Sequence, residues 1–179
     1  MKHLIQLILL VSLGGILISC VNRMDITVNL SPMPDVNIKR YEGTWNEIAR
    51  IPNKYEKGLD RVTATYYLRC DRRIAIRNAG YNQAGELKFV CGQGYVPNWK
   101  NPGHLRVSFV LPYRWFYGDY NILYVNKAYD LALVAGGDAN HLWILSKRHH
   151  ITEVEKQDLL GMARARGFDT QRLVWPKVF

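Results

Sequence analysis

Short runs in which apolar and polar residues alternate dominate the chain from Gly43 to Lys147. Turn-forming residues at 82–85, 97–103 and 136–140 separate these runs. Tyr and β-branched residues are common within them, as strands prefer. No helical pattern interrupts them, which argues against a parallel α/β sheet. The alternation predicts eight strands, at 44–51, 60–69, 73–80, 86–96, 104–111, 119–126, 129–135 and 141–147.

The periodicity changes after residue 150. Thr152 and Glu155 have the spacing of a helix capping box, and Gly167 is placed to end the helix. Apolar residues between them recur on one side, as in an amphipathic helix that ends near residue 165. A last run at 172–175 stops at Pro176 and predicts one short edge strand. The chain is therefore predicted to be an all-β meander, followed by one helix and a short final strand.

The first twenty residues have the pattern of a bacterial lipoprotein signal. After Lys2, residues 4–18 are almost wholly apolar, which is the length of a signal-peptide core and short for a membrane span. Leu-Ile-Ser-Cys at 17–20 matches a lipobox, in which the Cys thiol is the nucleophile that takes up a diacylglyceryl group. We therefore expect a signal peptide at 1–19 and lipidation at Cys20. An ordinary signal peptide with an incidental cysteine is the alternative.

Two features bear on location. Val21, rather than Asp, follows Cys20, and by analogy with enteric-type bacteria this implies the outer membrane, lipid-anchored and facing the periplasm. Residues 20–37 are predicted to be the lipidated N-terminus and a tether, and 38–179 to be one folded domain. The formal charge of +9 includes Lys2. In the periplasm this charge favours anionic lipid head groups over nucleic acid, with a solvated basic face as the alternative.

Two cysteines remain once Cys20 is assigned to the anchor. Cys70 follows a predicted strand and Cys91 lies inside another, with a third strand between them. Two strand spacings amount to roughly 10 Å, which exceeds the reach of a disulfide unless twist or a bulge brings the strands closer. An oxidising compartment nevertheless favours pairing, so a Cys70–Cys91 disulfide is left open.

Residues 43–50 read Gly-Thr-Trp-Asn-Glu-Ile-Ala-Arg. Gly43 permits a sharp bend or a close approach of backbones, and Trp45 supplies a large apolar plug with one N–H to satisfy. With this motif the sequence resembles the lipocalins, which are small β-barrels that carry hydrophobic ligands. The form Gly-Thr-Trp-x-Glu-Ile-Ala-Arg is close to that of the bacterial outer-membrane lipocalins. Another β-fold with a core tryptophan is the alternative.

Two further motifs extend the resemblance over roughly residues 38–176. Residues 117–121, Tyr-Gly-Asp-Tyr-Asn, match the second lipocalin motif, and residues 142–146 match the strand that leads to the third. The resemblance implies an eight-stranded antiparallel up-and-down β-barrel, the lipocalin calyx, with a C-terminal α-helix and a short final strand.

Three positions depart from the family pattern. Asn46 stands where an aromatic residue is usual, and Lys147, followed by Arg148, stands where the third-motif arginine is expected over Trp45. Lysine makes a weaker cation–π contact there because it lacks the planar guanidinium. The loop at 112–116 is longer and more aromatic than expected, which suggests an altered cover over the cavity or a surface for a homodimer.

A barrel of eight strands encloses room for one small ligand. From the alternation we expect Trp143 to share the inner face with Lys147, and Glu47 to share it with Trp45. Tyr117 is implied by the resemblance, while Tyr120 and Tyr124 are expected to place hydroxyl groups near the mouth. The predicted ligand-binding residues are Trp143, Tyr117, Val107, Phe109, Tyr120, Tyr124 and Glu47.

Catalytic and cofactor motifs are scarce. The chain has no Gly-x-Ser-x-Gly, no phosphate-binding glycine loop and no Cys-x-x-Cys. His149 and His150 are adjacent, and adjacent side chains on a strand point to opposite faces, so a shared metal ion is not expected. We predict no catalytic residue, no metal and no cofactor.

The predicted function is the binding, storage or transport of a fatty acid or lysophospholipid at the bacterial outer membrane, for maintenance of the envelope. An enzyme of lipocalin fold that acts on a hydrophobic substrate is one alternative, and a buried catalytic pair would favour it. A structural or interaction lipoprotein with a filled barrel is the other, and the absence of a cavity would favour it.

Overall fold

A computed structural model describes residues 27–109 and 116–178. Eight antiparallel strands form a closed barrel in which each strand pairs with its neighbours in sequence and β1 also pairs with β8. The strands are β1 Gly43–Arg50, β2 Asp60–Leu68, β3 Arg73–Tyr81, β4 Leu87–Tyr95, β5 His104–Ser108, β6 Gly118–Val125, β7 Leu131–Ala135 and β8 Leu142–Ser146. The prediction of an all-β up-and-down barrel is confirmed.

The predicted strand boundaries agree with the observed ones to within a few residues. The largest difference is at β5, which ends at Ser108. The last two residues of that predicted strand, at 110–111, lie outside the described residues, as do the signal peptide, Cys20 and most of the 112–116 loop.

The up-and-down order divides the connections between two ends. The start of β1 and the β2–β3, β4–β5 and β6–β7 connections share one end, here called the closed end. The β1–β2, β3–β4, β5–β6 and β7–β8 connections share the other end, here called the mouth.

The barrel interior is apolar in its closed half. A buried cluster takes side chains from seven of the eight strands, among them Trp45, Tyr66, Ile76, Leu105 and Ile122, each at most 6% exposed. Only β4 adds no buried side chain to this cluster. The closed half is therefore filled by the protein's own side chains.

A short helix, α1 at Ile38–Tyr41, covers the closed end. Asn37 caps it by accepting from the Arg40 N–H, and Tyr41 stacks on Trp45 with ring centroids 4.6 Å apart. Trp45 Nε1 donates to the Tyr41 carbonyl at 2.8 Å, which satisfies the indole N–H. The sequence analysis missed this helix because four residues carry no readable helical period.

Gly43 makes the bend between α1 and β1. Its φ is +106°, in the region that favours glycine. A β-carbon at this position would lie 3.8 Å from Lys147 Cε and Nζ, which is an ordinary contact distance, so a larger residue would be disfavoured by backbone strain and not by lack of space.

The long helix, α2 at Glu153–Ala165, packs on the outside of the barrel. The Thr152–Glu155 capping box is present in full, and the Gly167 and Phe168 N–H groups donate back to the Arg164 and Ala163 carbonyls. Leu159 and Ala163 join a second buried cluster with outward-facing residues of β1, β6, β7 and β8. This explains why every residue of β7 is buried, since one face meets the interior and the other meets α2.

The two terminal segments also lie against the barrel. The predicted final strand reduces to one bridge, in which Val174 and Arg50 exchange backbone hydrogen bonds, after a 3-10 turn at Thr170–Arg172. At the other terminus, the part of the predicted tether at 27–37 packs on both clusters through Val28, Leu30, Met33 and Val36. Apolar residues in this segment explain why it follows the barrel.

Replacement of the plug tests this account of the closed end. Trp45→Ala should lower the free energy of unfolding by about 3–5 kcal/mol, because Trp45 is fully buried and its removal leaves a cavity. Lys147→Arg should raise stability slightly, since a guanidinium stacks better on an indole. Urea unfolding measures both changes. Trp175→Ala, at a site 42% exposed, is the matched control, and a Trp45→Ala cost no larger than the control's would contradict the plug.

Candidate functional site

In the half of the barrel nearer the mouth, here called the open half, inward-facing side chains remain only partly buried. Val107, Phe109 and Trp143 pack against the interior cluster, yet none of them is fully buried. Val90 pairs with Asn78, two residues beyond Ile76 on the same face of β3, and is 42% exposed although it faces inward. Unfilled space therefore borders these side chains.

Glycines on the inner face of β4 shape this space. A β-carbon at Gly92 would meet the Phe109 ring at 2.5 Å, and one at Gly94 would meet Val107 and Ile76 at 3.2 and 3.3 Å. The inner face of β4, next to β5, is therefore bare backbone at these two positions. Phe109 and Val107 lie against it. These two residues are placed as the sequence analysis expected.

A β-bulge between Glu47 and Ala49 resets the alternation in β1. Glu47 pairs with Leu145 and Arg50 pairs with Trp143, and both partners belong to the interior, so Glu47 and Arg50 both face inward. Their side chains form a buried ion pair through Arg50 Nη1 and Glu47 Oε1. Ala49, which simple alternation would turn inward with Trp45 and Glu47, packs instead in the cluster under α2.

Arg50 also holds the β1–β2 connection across the mouth. Its Nη2 donates to the carbonyls of Glu56 and Leu59, each at 3.1 Å. The Glu56 carboxylate accepts from Trp143 Nε1, with both oxygens at 3.2 Å, and from the Asn53 amide. The mouth thus carries two carboxylates and one guanidinium beside an indole. The sequence analysis missed Arg50 and Glu56, because a bulge and a loop conformation leave no periodic signal.

The pKa of Glu47 is raised from 4.5 to about 8, because burial and, to a smaller extent, the nearby Glu56 carboxylate outweigh the opposing effect of the Arg50 guanidinium. The Glu47 carboxyl group can therefore bind or release a proton inside the calyx near neutral pH.

Tyr120 lies deeper than expected. Its hydroxyl contacts the Tyr41 hydroxyl at 2.9 Å and the Tyr66 hydroxyl at 2.8 Å, so it takes part in a chain of three tyrosines above the plug. Burial raises the pKa values of all three phenols above their ordinary value. The prediction that Tyr120 supplies a hydroxyl near the mouth is corrected, since its partners come from α1 and β2.

Two predicted pocket residues lie outside the barrel. A bulge between Ile122 and Tyr124 turns Tyr124 outward, where it packs on the cluster under α2. Tyr117 precedes Gly118, which pairs with the inward Val107, so Tyr117 faces outward and its ring meets Tyr95 at 5.1 Å. The structure removes both tyrosines from the predicted ligand set.

Lys147, and not Arg148, lies over Trp45 at the position where the third lipocalin motif usually has an arginine. Its Nζ lies 4.9 Å from the centre of the Trp45 ring and donates to the Arg40 carbonyl at 3.0 Å. Arg148 points elsewhere, to ion pairs with Asp130 at 3.1 Å and Glu155 at 2.6 Å. Asn46, in place of the usual aromatic residue, donates its side-chain amide to the carbonyls of Ser146 and Arg148.

The two cysteines of the barrel are free and exposed. Cys91 pairs with Arg77, whereas Cys70 belongs to the turn that precedes Arg73. Four residues along a strand span about 13 Å, which is beyond disulfide reach. The disulfide that the sequence analysis left open is therefore not formed.

A groove of about 660 Å³ lies outside the calyx, where Tyr117 and Tyr95 meet Arg72, Arg73 and Trp99. His149 and His150 are exposed. Within residues 27–109 and 116–178, no group of three His, Cys, Asp or Glu side chains is arranged to hold a metal ion. In the same residues, no helix has the length and apolar character needed to span a membrane.

The sequence profile of the Lipocalin-like domain family matches residues 36–178, which include the whole barrel and both helices. The chain belongs to the lipocalin family. This lipocalin is 44% identical over 140 residues to the outer membrane lipoprotein Blc of Citrobacter freundii, covering 78% of this chain and 77% of that protein. It is 42% identical over 138 residues to the protein of that name in Escherichia coli K12, covering 76% of each.

Solved structures support the fold. Insecticyanin from the tobacco hornworm Manduca sexta superposes with a TM-score of 0.70 at 16% identity, covering 84% of this lipocalin and 85% of that chain. At this identity the likeness concerns the barrel architecture. Within that architecture, the half-filled interior with a polar mouth suits the burial of an apolar chain with one polar end.

Titration of Glu47 gives a pH prediction. A carboxyl whose pKa is raised on folding binds more protons in the folded state between pH 4.5 and about 8, so stability falls as pH rises through this window. Glu47→Gln should abolish this fall, which is about 5 kcal/mol for a pKa that rises from 4.5 to about 8. Urea unfolding at a series of pH values measures it. Glu86→Gln, in the exposed β3–β4 turn, is the control, and parallel stability curves for wild type and Glu47→Gln would contradict the assignment.

Proposed function

We propose that this lipocalin binds a single-chain lipid, a fatty acid or a lysophospholipid, in the open half of its calyx and holds or carries it at the bacterial outer membrane. The observation that carries the proposal is the partial exposure of inward-facing Val90, Val107, Phe109 and Trp143. A barrel filled by its own side chains, the structural alternative, would bury these residues as completely as it buries Trp45.

The apolar wall supplies the driving force. Each methylene that leaves water contributes about 0.8 kcal/mol, so about ten methylenes contribute roughly 8 kcal/mol before entropic losses. That corresponds to micromolar affinity or better. The lipid head group would lie at the mouth, beside the Glu47–Arg50 pair, Glu56 and the Trp143 indole. The acyl chain would lie against Val107 and Phe109, above the tyrosine chain.

Location is proposed from the N-terminus and from the relatives. The signal at 1–19 and Cys20 would place an acyl anchor ahead of the barrel, and the relatives reported above are named outer membrane lipoproteins. Residues 27–37 follow the barrel surface through Val28, Leu30, Met33 and Val36. Envelope maintenance, through uptake of single-chain lipids released in the membrane, is the role that fits such an anchored carrier.

Carriage is supported better than catalysis. Lipocalins are in general binding and transport proteins. The two carboxylates nearest the calyx each have a structural partner, since Glu47 pairs with Arg50 and Glu56 accepts from Trp143 and Asn53. A base and an acid poised over a substrate would need at least one of them uncommitted.

Chain length provides the direct test of the ligand site. Affinity for fatty acids and lysophospholipids should rise about fourfold for each added methylene until the cavity is full, and then stop rising. Binding should quench the fluorescence of Trp143, and this quenching should disappear in Trp143→Phe. Calorimetry and Trp fluorescence measure the two effects.

A bulky residue inside the barrel tests where the lipid lies. Val107→Trp should abolish binding and preserve the fold, because it fills space that borders open volume. Arg77→Trp adds the same ring to the outer face of β3 and is the matched control. Equal affinity in Val107→Trp and wild type would place the lipid outside the barrel and end the carrier proposal.

Anchoring has a separate test. Cys20→Ser should abolish incorporation of a palmitate analogue in cells, because the lipobox ends at this residue. Cys70→Ser should leave incorporation unchanged, since Cys70 lies in the β2–β3 turn of the barrel. Continued labelling of Cys20→Ser would refute the proposed anchor.

A further inference from the structure

The two ends of the barrel differ in charge. Five segments lie at the closed end: 35–42, 69–73, 96–103, 126–130 and 147–150. Together they contain nine lysines and arginines, four aspartates and glutamates, and two histidines. The described mouth connections at 51–59, 82–86 and 136–141 carry two lysines, three carboxylates and one histidine. Most of the excess positive charge of the barrel therefore lies at the closed end.

Several closed-end cations have no carboxylate partner among residues 27–109 and 116–178. Lys39 pairs with Glu42 at 2.7 Å and Arg69 pairs with Asp71 at 3.1 Å, which neutralises part of the surface. Arg72 lies instead over the Trp99 ring, 4.3 Å from its centre, and the Arg73 guanidinium meets Gln93 Oε1 at 3.4 Å.

The groove outside the calyx opens beside these arginines. Arg72 and Arg73 come from the β2–β3 turn and the start of β3, and Tyr95 and Trp99 from the end of β4 and the β4–β5 connection. Tyr95 is 38% and Trp99 41% exposed. Guanidinium groups bind phosphate in a planar, two-pronged manner, and Trp and Tyr rings favour the interface between water and lipid.

The proposed tether is long enough for the lipid anchor to reach a membrane at the closed end. Asn29 donates its backbone N–H to the Arg166 carbonyl, and the chain reaches the closed end at Met33, whose carbonyl lies against Gly103. The six steps from residue 27 to residue 33 span at most about 20 Å, and the seven steps from Cys20 to residue 27 span at most about 25 Å. An acyl group on Cys20 is thus able to reach a membrane that lies against the closed end.

We propose that the closed end is a docking surface for a membrane of anionic phospholipid, with the Arg72–Arg73–Trp99 groove receiving a lipid phosphate. The mouth then faces away from the membrane, and the ligand enters from the aqueous side. This inference rests on the proposed anchor but is independent of which lipid fills the calyx.

The test uses the mature, lipidated protein in vesicles of phosphatidylcholine or of an equal mixture of phosphatidylcholine and phosphatidylglycerol. An environment-sensitive fluorophore on Cys70, in a Cys91→Ser background, reports from the closed end. The same fluorophore on Tyr55→Cys, with Cys70→Ser and Cys91→Ser, reports from the mouth, where Tyr55 is 69% exposed. Brominated lipid should quench the Cys70 label in the anionic vesicles and leave the Tyr55→Cys label unquenched.

Matched charge reversals complete the test. Lys100→Glu with Lys127→Glu changes two exposed closed-end lysines, and Lys54→Glu with Lys57→Glu makes the same charge change at the mouth. Each lysine near an anionic surface is worth about fivefold in binding, so the closed-end pair should weaken docking by about 25-fold or more. The mouth pair should leave docking unchanged, and added salt should weaken it in wild type.

Four outcomes would overturn the proposal. Quenching of the Tyr55→Cys label instead of the Cys70 label would place the mouth on the membrane. Equal effects of the two charge reversals would show that net charge, rather than the closed end, matters. If quenching occurs only at a high density of protein on the vesicles, and Cys70 cross-links two copies of the chain, then the closed end is a contact between two copies and not a membrane-docking surface. Failure of the protein to float with any vesicle would refute the anchor itself.

Discussion

Packing around Trp45 is the constraint on which the rest of this structure depends. An eight-stranded barrel encloses space that either side chains or one small ligand can fill. At the closed end, Trp45 fills it, with Tyr41 stacked on one side and Lys147 over the ring. The buried closed-half cluster reaches Tyr66 and Ile122, whereas Val90, farther along β4 toward the mouth, remains 42% exposed. The filled base and the partly exposed wall are thus two parts of one interior.

Strands, turns and the capping of α2 were predictable from sequence, because each depends on residues close together in the chain. Alternation marks a strand within a few residues, and Thr152 caps α2 through its own neighbour Glu155. The helix α1 escaped detection because it is a single turn, stabilised by contact with Trp45 rather than by its own sequence.

Errors in the predicted site come from the register of the strands. A bulge shifts every later side chain to the opposite face, and neither the bulge after Glu47 nor the one after Ile122 has a sequence signature. Arg50 was therefore missed as an interior residue, and Tyr124 was wrongly placed inside. Tyr117 was placed by resemblance to the family, while its backbone position beside Gly118 turns it outward. Val107 lies on β5, which has no bulge, and Phe109 directly follows this strand, so the inward orientation of both follows from alternation alone.

The two ends of the barrel have separate chemical characters that fit a membrane-anchored carrier. The closed end combines a filled core with an excess of basic side chains, and the mouth combines a partly exposed apolar wall with a buried ion pair. The Glu47–Arg50 pair contributes little as a source of stability, since burial of charge offsets the attraction between the partners. Its position instead fixes the β1–β2 connection across the mouth, through the two carbonyls that Arg50 binds. The guanidinium that holds this connection is the same one that contacts Glu47.

The central claim is that the open half of the calyx holds one single-chain lipid. Native mass spectrometry of the protein, extracted from its own membrane in mild detergent, tests this claim most directly. We expect one bound lipid of single-chain mass for each protein, and loss of that mass in Val107→Trp extracted in parallel. Protein that emerges without bound lipid, or bound lipid that persists in Val107→Trp, would contradict the account.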